Sequence, residues 1–274
     1  MLGGEASKAA TVLEDALAGA DDTRTAAFFD VDNTIMRGAS IFHLARGLHR
    51  RKFFSTKAII GAAYKQAYFR IVGVEDPQHV AEARESALAF IQGHSVAELE
   101  DLVAEIFEEG MAHRIWPGTK ALAQRHVDQG QRVWIVTAAP IEIADVIARR
   151  LGLTGALGTV AEQRDGVYTG RLVGEFLHGP AKAQAVAALA EREGLDLAEC
   201  WGYSDSSNDL PMLQLVGHPA VINPDAKLRR FARSQRWPVR DYRTGRKAAR
   251  AAMMLTGLGG TAAGAIKTMR DRRD

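Results

Sequence analysis

The chain has 274 residues, 47% of them hydrophobic and 25% charged, which excludes a disordered or collagen-like chain and is ample for a sizeable core in one or two domains. The formal net charge is only +2, yet Ala226 to Asp274 carries 14 Lys and Arg against three Asp and Glu, so an acidic body is joined to a basic end. The single cysteine, Cys200, rules out an intramolecular disulfide and a cysteine-built zinc cage, and fits a reducing compartment such as the cytoplasm. No basic flank with an apolar run marks a signal peptide, and no window reaches the roughly 18–20 apolar residues that span a bilayer.

Residues 1–24, rich in Ala, Gly and Asp, read as a frayed or loosely helical leader. Ala26-Ala27-Phe28-Phe29 is then a continuous apolar run of the kind found in a parallel strand covered on both faces. Residues 39–115 break away from this pattern, with several helical periodicities and no convincing strand. The clearest begins at Ser95-Val96-Ala97-Glu98, a capping box followed by Leu99, Leu102, Val103, Ile106 and Phe107 at helical spacing. This segment is predicted to be a small all-helical domain inserted after the first strand. Further strands are predicted at Val133–Val136, Cys200–Tyr203 and Ala220–Ile222. Pro117, Pro140 and Pro180 stand where first helical turns begin, and Gly130, Gly152 and Gly194 just past their ends. Asp165-Gly166, between alternating residues, predicts a hairpin. Strands alternating with such helices imply an α/β fold, an open parallel sheet built from residues 25–38 and 116–242.

The polar residues gather where the predicted strands end, the edge at which open α/β sheets hold ligands. The first strand runs into Asp30-Val31-Asp32-Asn33-Thr34, whose two carboxylates can converge on a cation, although strand-end turns also favour Asp and Asn. The second ends in Thr137-Ala138-Ala139-Pro140, a hydroxyl beside a helix start and so either an anion site or a plain helix cap. His178-Gly179-Pro180-Ala181-Lys182 puts a lysine in the first turn of a helix, where it opposes the helix dipole unless an anion meets it. Ser204-Asp205-Ser206-Ser207-Asn208-Asp209 supplies a second acidic pair on a loop, hard oxygen donors of the sort Mg²⁺ prefers.

Taken together and in this order, the four stretches resemble the motifs of the haloacid dehalogenase superfamily of phosphohydrolases. Asp30 to Thr34 matches the first motif, Thr137 the second, Lys182 the third, and Asp205 to Asp209 the acidic fourth. The helical insert, the hairpin and Ser204 through Met212 are most similar to the phosphoserine phosphatase-like branch. The resemblance implies a Rossmann-like core with the insert, residues 39–115, as a helical cap. It implies a Mg²⁺-dependent phosphomonoesterase in which Asp30 attacks phosphorus and Asp32 serves as acid and then base. Lys182 would neutralise charge, while Thr137, Ala138 and Asn208 bind the substrate. Asp30, Asp32 through its carbonyl, and Asp205 would hold the metal, with Asp209 ligating or orienting that shell. The family's phosphoserine phosphatases carry a glutamate shortly after the first motif to hold the substrate ammonium. This chain has Arg37-Gly38-Ala39-Ser40 there and no acid until Glu75, which argues against phosphoserine. Phe42, His43, Tyr64, Tyr68, Phe69 and Arg70 are the candidate cap contacts to the leaving group.

The basic end, residues 243–274, has 16 uncharged residues, Ala251 to Ile266, between clusters of bases. It reads either as a flexible solvated tail or as a peripheral contact with an anionic membrane, and in the second case a lipid phosphomonoester becomes a reasonable substrate. Nucleic acid is not expected as a partner, because the tail has no recognisable module or interleaved aromatics. Alternatives are a phosphotransferase on the same core, which would retain phosphate on Asp30, and a non-catalytic phospho-receiver or binding protein on a similar α/β fold, which would need neither Asp32 nor a cap.

Overall fold

The computed structural model describes residues 24–53, 88 and 91–243. The predicted leader, apart from Arg24, and the basic end beyond Arg243 lie outside the described residues, as do Tyr64, Tyr68, Phe69 and Arg70. In chain order the described elements begin with β1 (Ala26–Phe29), α1 (Ser40–Arg50) and α2 (Val96–Gly110). Next come α3 (Pro117–Asp128), β2 (Arg132–Pro140), α4 (Ile141–Leu151), and the hairpin of β3 (Gly155–Arg164) and β4 (Val167–Val173). The chain continues through α5 (Pro180–Glu193), β5 (Trp201–Ser204), α6 (Leu210–Leu213), β6 (His218–Ile222), α7 (Ala226–Ser234) and β7 (Val239–Arg240).

One sheet runs in the order β4-β3-β2-β1-β5-β6-β7, with every neighbouring pair parallel except the β3–β4 hairpin. This is the predicted Rossmann-like α/β fold. β1 sits near its centre and all four of its residues are fully buried. Ala27 and Phe29 belong to the apolar cluster on one face, Ala26 and Phe28 to that on the other. Side chains alternate across a strand, so a run without polar interruption is what two covered faces require. Burying each phenylalanine contributes about 2–3 kcal/mol.

The proline and glycine punctuation acts as the sequence suggests. Pro117 and Pro180 open α3 and α5, and Pro140 immediately precedes α4. Asp165 and Gly166 both have positive φ, 52° and 76°, the combination a two-residue I′ hairpin turn needs. Three details differ. β2 does not stop before Thr137 but continues to Pro140, whose pairing with Thr159 follows a register shift. β3 begins earlier than the hairpin pattern implies, lying parallel to β2 from Trp134 and Gly155 onward. β7 is only two residues long, too short to leave a periodicity, and is held through Val221–Val239 and Ile222–Arg240.

The described part of the insert is fastened to the sheet. A Cβ on Gly47 of α1 would lie 2.5 Å from Ile106 of α2, so the two helices meet where only a hydrogen fits. Ser95 caps α2 by accepting from the Glu98 amide at 3.4 Å. Just before that helix, the Gly93 amide donates to Tyr168 at 2.9 Å, and Tyr168 and Val96 complete a short ladder with His94 and Gly166, each at 3.0 Å. Asp32 accepts from the Ser40 amide at 2.8 Å, giving α1 the N-terminal carboxylate that Ala39, its own capping residue, cannot supply.

His126 ends α3 in the core, fully buried, with Nδ1 2.5 Å from Gln131 Oε1 and Nε2 2.9 Å from the Tyr203 hydroxyl. Burial pushes its pKa down to about 4, against about 6.5 in an unfolded chain. The unfolded state therefore binds the extra proton first, and stability falls as pH drops from about 6.5 towards 4, by up to about 3 kcal/mol. Denaturant midpoints of the wild type and His126→Gln across pH 7.5 to 4 should depend differently on pH, the wild type losing more on acidification. Parallel pH dependences would contradict the buried neutral imidazole.

Candidate active site

The site is assembled at the carboxyl ends of β1, β2 and β5, beside the start of α5. Asp30 follows β1 directly and is buried, its amide donating to Tyr203 of the neighbouring strand at 2.9 Å. Lys182 stands in the first turn of α5, also buried, with Nζ 2.6 Å from Asp30 Oδ1 and 2.9 Å from Asp209 Oδ2. The lysine that its own helix dipole disfavours thus meets two anions, which is the signal that singled it out in the sequence. Gly179 makes this possible: it precedes α5 at φ 55°, ψ −121°, a conformation open essentially only to glycine.

Each carboxylate has further partners. Thr34 Oγ1 donates to Asp30 Oδ2 at 3.2 Å and Ser204 Oγ to Asp209 Oδ2 at 2.7 Å. Asp205 is half-buried and hydrogen-bonded to the Asn33 side chain, with its main-chain oxygen accepting from Asp225 at 2.8 Å. Asn33 adopts the left-handed region, φ 58°, where asparagine is tolerated, and this turns the chain after Asp32 back towards Asp205.

The electrostatics follow from burial. Desolvation raises Asp30 to about 6, with Lys182 opposing and Asp209 and Asp32 reinforcing it. Desolvation together with the negative charge of Asp30 pushes Asp205 up to about 7. Lys182 would be lowered by its own burial, but Asp30 and Asp209 outweigh that and hold it above the ordinary lysine range. One lysine does not balance the acidic groups gathered here.

Among the described residues no three His, Cys, Asp or Glu side chains converge as a metal cage. A cation here would instead meet the two crowded carboxylates of Asp30 and Asp205, with main-chain and water oxygens completing its shell. That donor set, all hard oxygen with few protein side chains, fits Mg²⁺. Asp209 is turned to Lys182 and Ser204 and is 2% exposed.

The other sequence-predicted residues lie around this centre. Phe29 pairs with Ile135, so Thr137 is one position past the neighbour of Asp30 on the adjoining strand. It is buried, and its Oγ1 accepts from the Ala139 amide at 3.2 Å rather than capping a helix. Ala138 is half-buried, its carbonyl taken by Thr159 at 2.8 Å. Asn208 is exposed, and its amide donates to Ser206 Oγ at 3.2 Å. His43 is half-buried beside Gly38, and Phe42 is 61% exposed. Sequence reasoning did not single out Ser204, Thr34 or Asn223 for a role. Asn223, fully buried after β6, donates to the Asn33 carbonyl at 2.7 Å. Its signal was available, since it is another polar residue closing an apolar strand.

The sequence profile of the haloacid dehalogenase-like hydrolases matches residues 27–214. The chain belongs to the haloacid dehalogenase-like hydrolase family. Within this family it is similar to phosphoserine phosphatase SerB1 of Mycobacterium tuberculosis, 54% identical over 252 residues, 92% of this chain and 82% of that protein. Among solved structures, a Bordetella pertussis Tohama I protein of unknown function is 29% identical with a TM-score of 0.70, covering 80% of this chain and 99% of its own. A phosphoserine phosphatase solved as a phospho-aspartyl intermediate analogue shares the fold, at 18% identity and TM-score 0.52, over 83% of this chain and 99% of that one. As a haloacid dehalogenase-like hydrolase of the phosphoserine phosphatase-like branch, the chain is a phosphatase, and phosphatases of this family generally use Mg²⁺.

Removing the ammonium tests the centre. Lys182→Met should lower phosphatase activity about a hundredfold or more and destabilise the fold by about 3–5 kcal/mol near pH 7.5, because two buried carboxylates lose their counter-ion. The loss should shrink towards pH 5 as Asp30, raised to about 6, takes up its proton. A denaturant titration at both pH values checks it, and an undiminished loss at pH 5 would count against the pairing.

Proposed function

We propose that this phosphatase hydrolyses a small phosphomonoester with Mg²⁺ as cofactor, through an aspartyl-phosphate on Asp30. The observation that carries the reading is the buried Asp30 carboxylate, oriented by Lys182 at 2.6 Å and Thr34 at 3.2 Å beside Asp205. Asp30 attacks phosphorus as the ester bond breaks, and Asp32 gives the leaving oxygen its proton. Asp32 then takes a proton from water, which displaces phosphate and frees Asp30. Splitting hydrolysis into two in-line displacements eases each of them. Phosphoryl transfer depends mostly on positioning and charge stabilisation. Lys182 offsets the charge building between nucleophile and phosphate, and Thr137 with the Ala138 amide receives phosphate oxygens. Asn208, exposed at the rim, is assigned to the substrate side.

Asp30, Asp205 and the Asp32 carbonyl would hold Mg²⁺, and Asp209 would fix Lys182 behind them. The metal supplies positive charge that lets a dianionic phosphate approach the acidic hollow. Residues 39–115 would serve as the cap over this edge, excluding water and contacting the leaving group.

For the leaving group, the residues around Asp32 favour something other than an ammonium. Arg114, Arg46 and His113 all lie close enough to push His43 below its usual imidazole range, with burial the largest cause and Asp32 opposing. Arg37 donates to the carbonyl of His113 at 2.7 Å, in the segment where a phosphoserine phosphatase carries its glutamate. We therefore place phosphoserine, the substrate in the name of the Mycobacterium tuberculosis relative, behind phosphomonoesters without a cationic group.

Phosphate release from an aryl phosphate is expected to need Mg²⁺ and to stop on chelation with EDTA. Asp30→Asn should fall by more than about a thousandfold while still folding. Turnover by Asp30→Asn would remove the nucleophile assignment, and full activity in EDTA would remove the metal.

A further inference from the structure

From Ala226 to Arg240 the chain carries six bases, Lys227, Arg229, Arg230, Arg233, Arg236 and Arg240, and no acid. In the structure most of this run is α7, which buries Leu228 and Ala232 against the sheet. Its opposite face holds Lys227, Arg230 and Arg233, all exposed, with Arg236 exposed just beyond. Arg229 is paired with Asp241. Among the described residues no carboxylate pairs with Lys227, Arg230, Arg233 or Arg236. A solvated helix of a nearly neutral protein ordinarily intersperses both signs. This one presents a single sign, and it leads directly into the basic end of the chain.

We propose that this cationic face of α7 is a docking surface for an anionic lipid bilayer. Two observations choose the bilayer over a nucleic acid. The face is a row of bases, and the rings of Phe231 and Trp237 beside it pack edge-to-face on each other at 5.3 Å instead of offering a stacking platform to bases. The chain that follows alternates bases with Ala251–Ile266, 16 uncharged residues including Met253, Met254, Leu255, Leu258 and Ile266, suited to a headgroup boundary and of no use against a phosphate backbone. Among the described residues no helix is long and apolar enough to cross a membrane.

The helix starts at the active-site edge. Asp225, its capping residue, donates its amide to Asp205 at 2.8 Å and accepts from the Ser207 amide at 2.7 Å. The helix of nine residues is about 14 Å long, and the loop of Asp205 lies at its N-terminal end. The inference does not depend on which phosphomonoester is cleaved, or on the hydrolytic mechanism.

The test is co-sedimentation of the full chain with phosphatidylcholine vesicles, with and without about one-third phosphatidylglycerol, at low and high salt. Binding is expected only with the anionic lipid and only at low salt, because a molar salt concentration screens charges beyond about 3 Å. Each base held at such a surface is worth roughly fivefold in partitioning, so K227E/R230E/R233E should weaken binding by at least about a hundredfold. Its denaturation midpoint should be unchanged, since all three side chains are exposed. A companion variant, R246E/K247E/R250E, separates the tail from the helix. Failure of the wild type to pellet with anionic vesicles would overturn the proposal. So would full binding by the helix variant, which would assign the contact to the tail alone, or retention of an oligonucleotide in place of vesicles.

Discussion

Lys182 lies between two buried carboxylates, and much of the molecule can be understood as what it takes to keep it there. An ammonium and two carboxylates removed from water cost several kcal/mol each unless they satisfy one another. Here Nζ reaches Asp30 and Asp209 at 2.6 and 2.9 Å, Thr34 donates to the other Asp30 oxygen, and Ser204 shares Asp209 Oδ2 with the lysine. The cluster joins the end of β1, the start of α5 and the loop after β5, so none of these can shift without uncovering a charge. The same constraint defines the chemistry. The lysine is committed to two anions, while Asp32 and Asp205 stand close by, and the hollow remains acidic. Burial and repulsion hold Asp30 and Asp205 above their ordinary range, at about 6 and about 7. A phosphate dianion would not enter such a place without additional positive charge. The Mg²⁺ proposed for this site thus follows from charge balance as well as from the donor types.

Topology explains why these segments meet. After β1 the chain builds outwards through β2 and β3, then returns to place β5 on the other side of β1. The connections leaving β1 and β5 therefore diverge, opening a crevice at the carboxyl ends, as in other open α/β sheets. Asp30, Asp205 and Asp209 occupy that crevice, and Thr137 rises from the next strand. The insert begins at the same place: α1 is capped by the Asp32 carboxylate, so the residue assigned to proton transfer also sets where the helical segment starts. Any motion of α1 would be felt directly at that carboxylate.

Much of this was legible because each motif residue breaks a local rule. A lysine in a first turn, paired acids after an apolar strand, and glycine ahead of Pro180 all have local costs or meanings that a single sequence exposes. The Asp165-Gly166 turn was equally readable, because its two positive φ angles restrict the residues that fit. What escaped depends on contacts that no local pattern encodes. Ser204 looks like the end of an apolar strand until Asp209 is seen 2.7 Å away. Thr137 resembled a helix cap, but β2 runs past it because Pro140 finds Thr159 on β3 beyond a register shift, and no local pattern encodes that pairing. β7 owes its two residues entirely to β6.

Two asparagines show how the outer strands reach the centre. Asn33 and Asn223 both lie in the left-handed region, at φ 58° and 50°, which asparagine tolerates better than other residues with a β-carbon. Asn223 donates through its side-chain amide to the Asn33 carbonyl at 2.7 Å and accepts from the Tyr242 amide at 2.8 Å. Asn33 in turn accepts from Gly38 at 3.1 Å and bonds to Asp205. Only a side chain with both a donor and an acceptor can serve both ends of the Asn223 bridge. An aspartate there would place a second oxygen against a carbonyl, and a leucine would remove both hydrogen bonds of the bridge. The edge of the sheet thus helps to shape the loop that carries Asp30 and Asp32, although neither β6 nor β7 contributes a group to the chemistry itself.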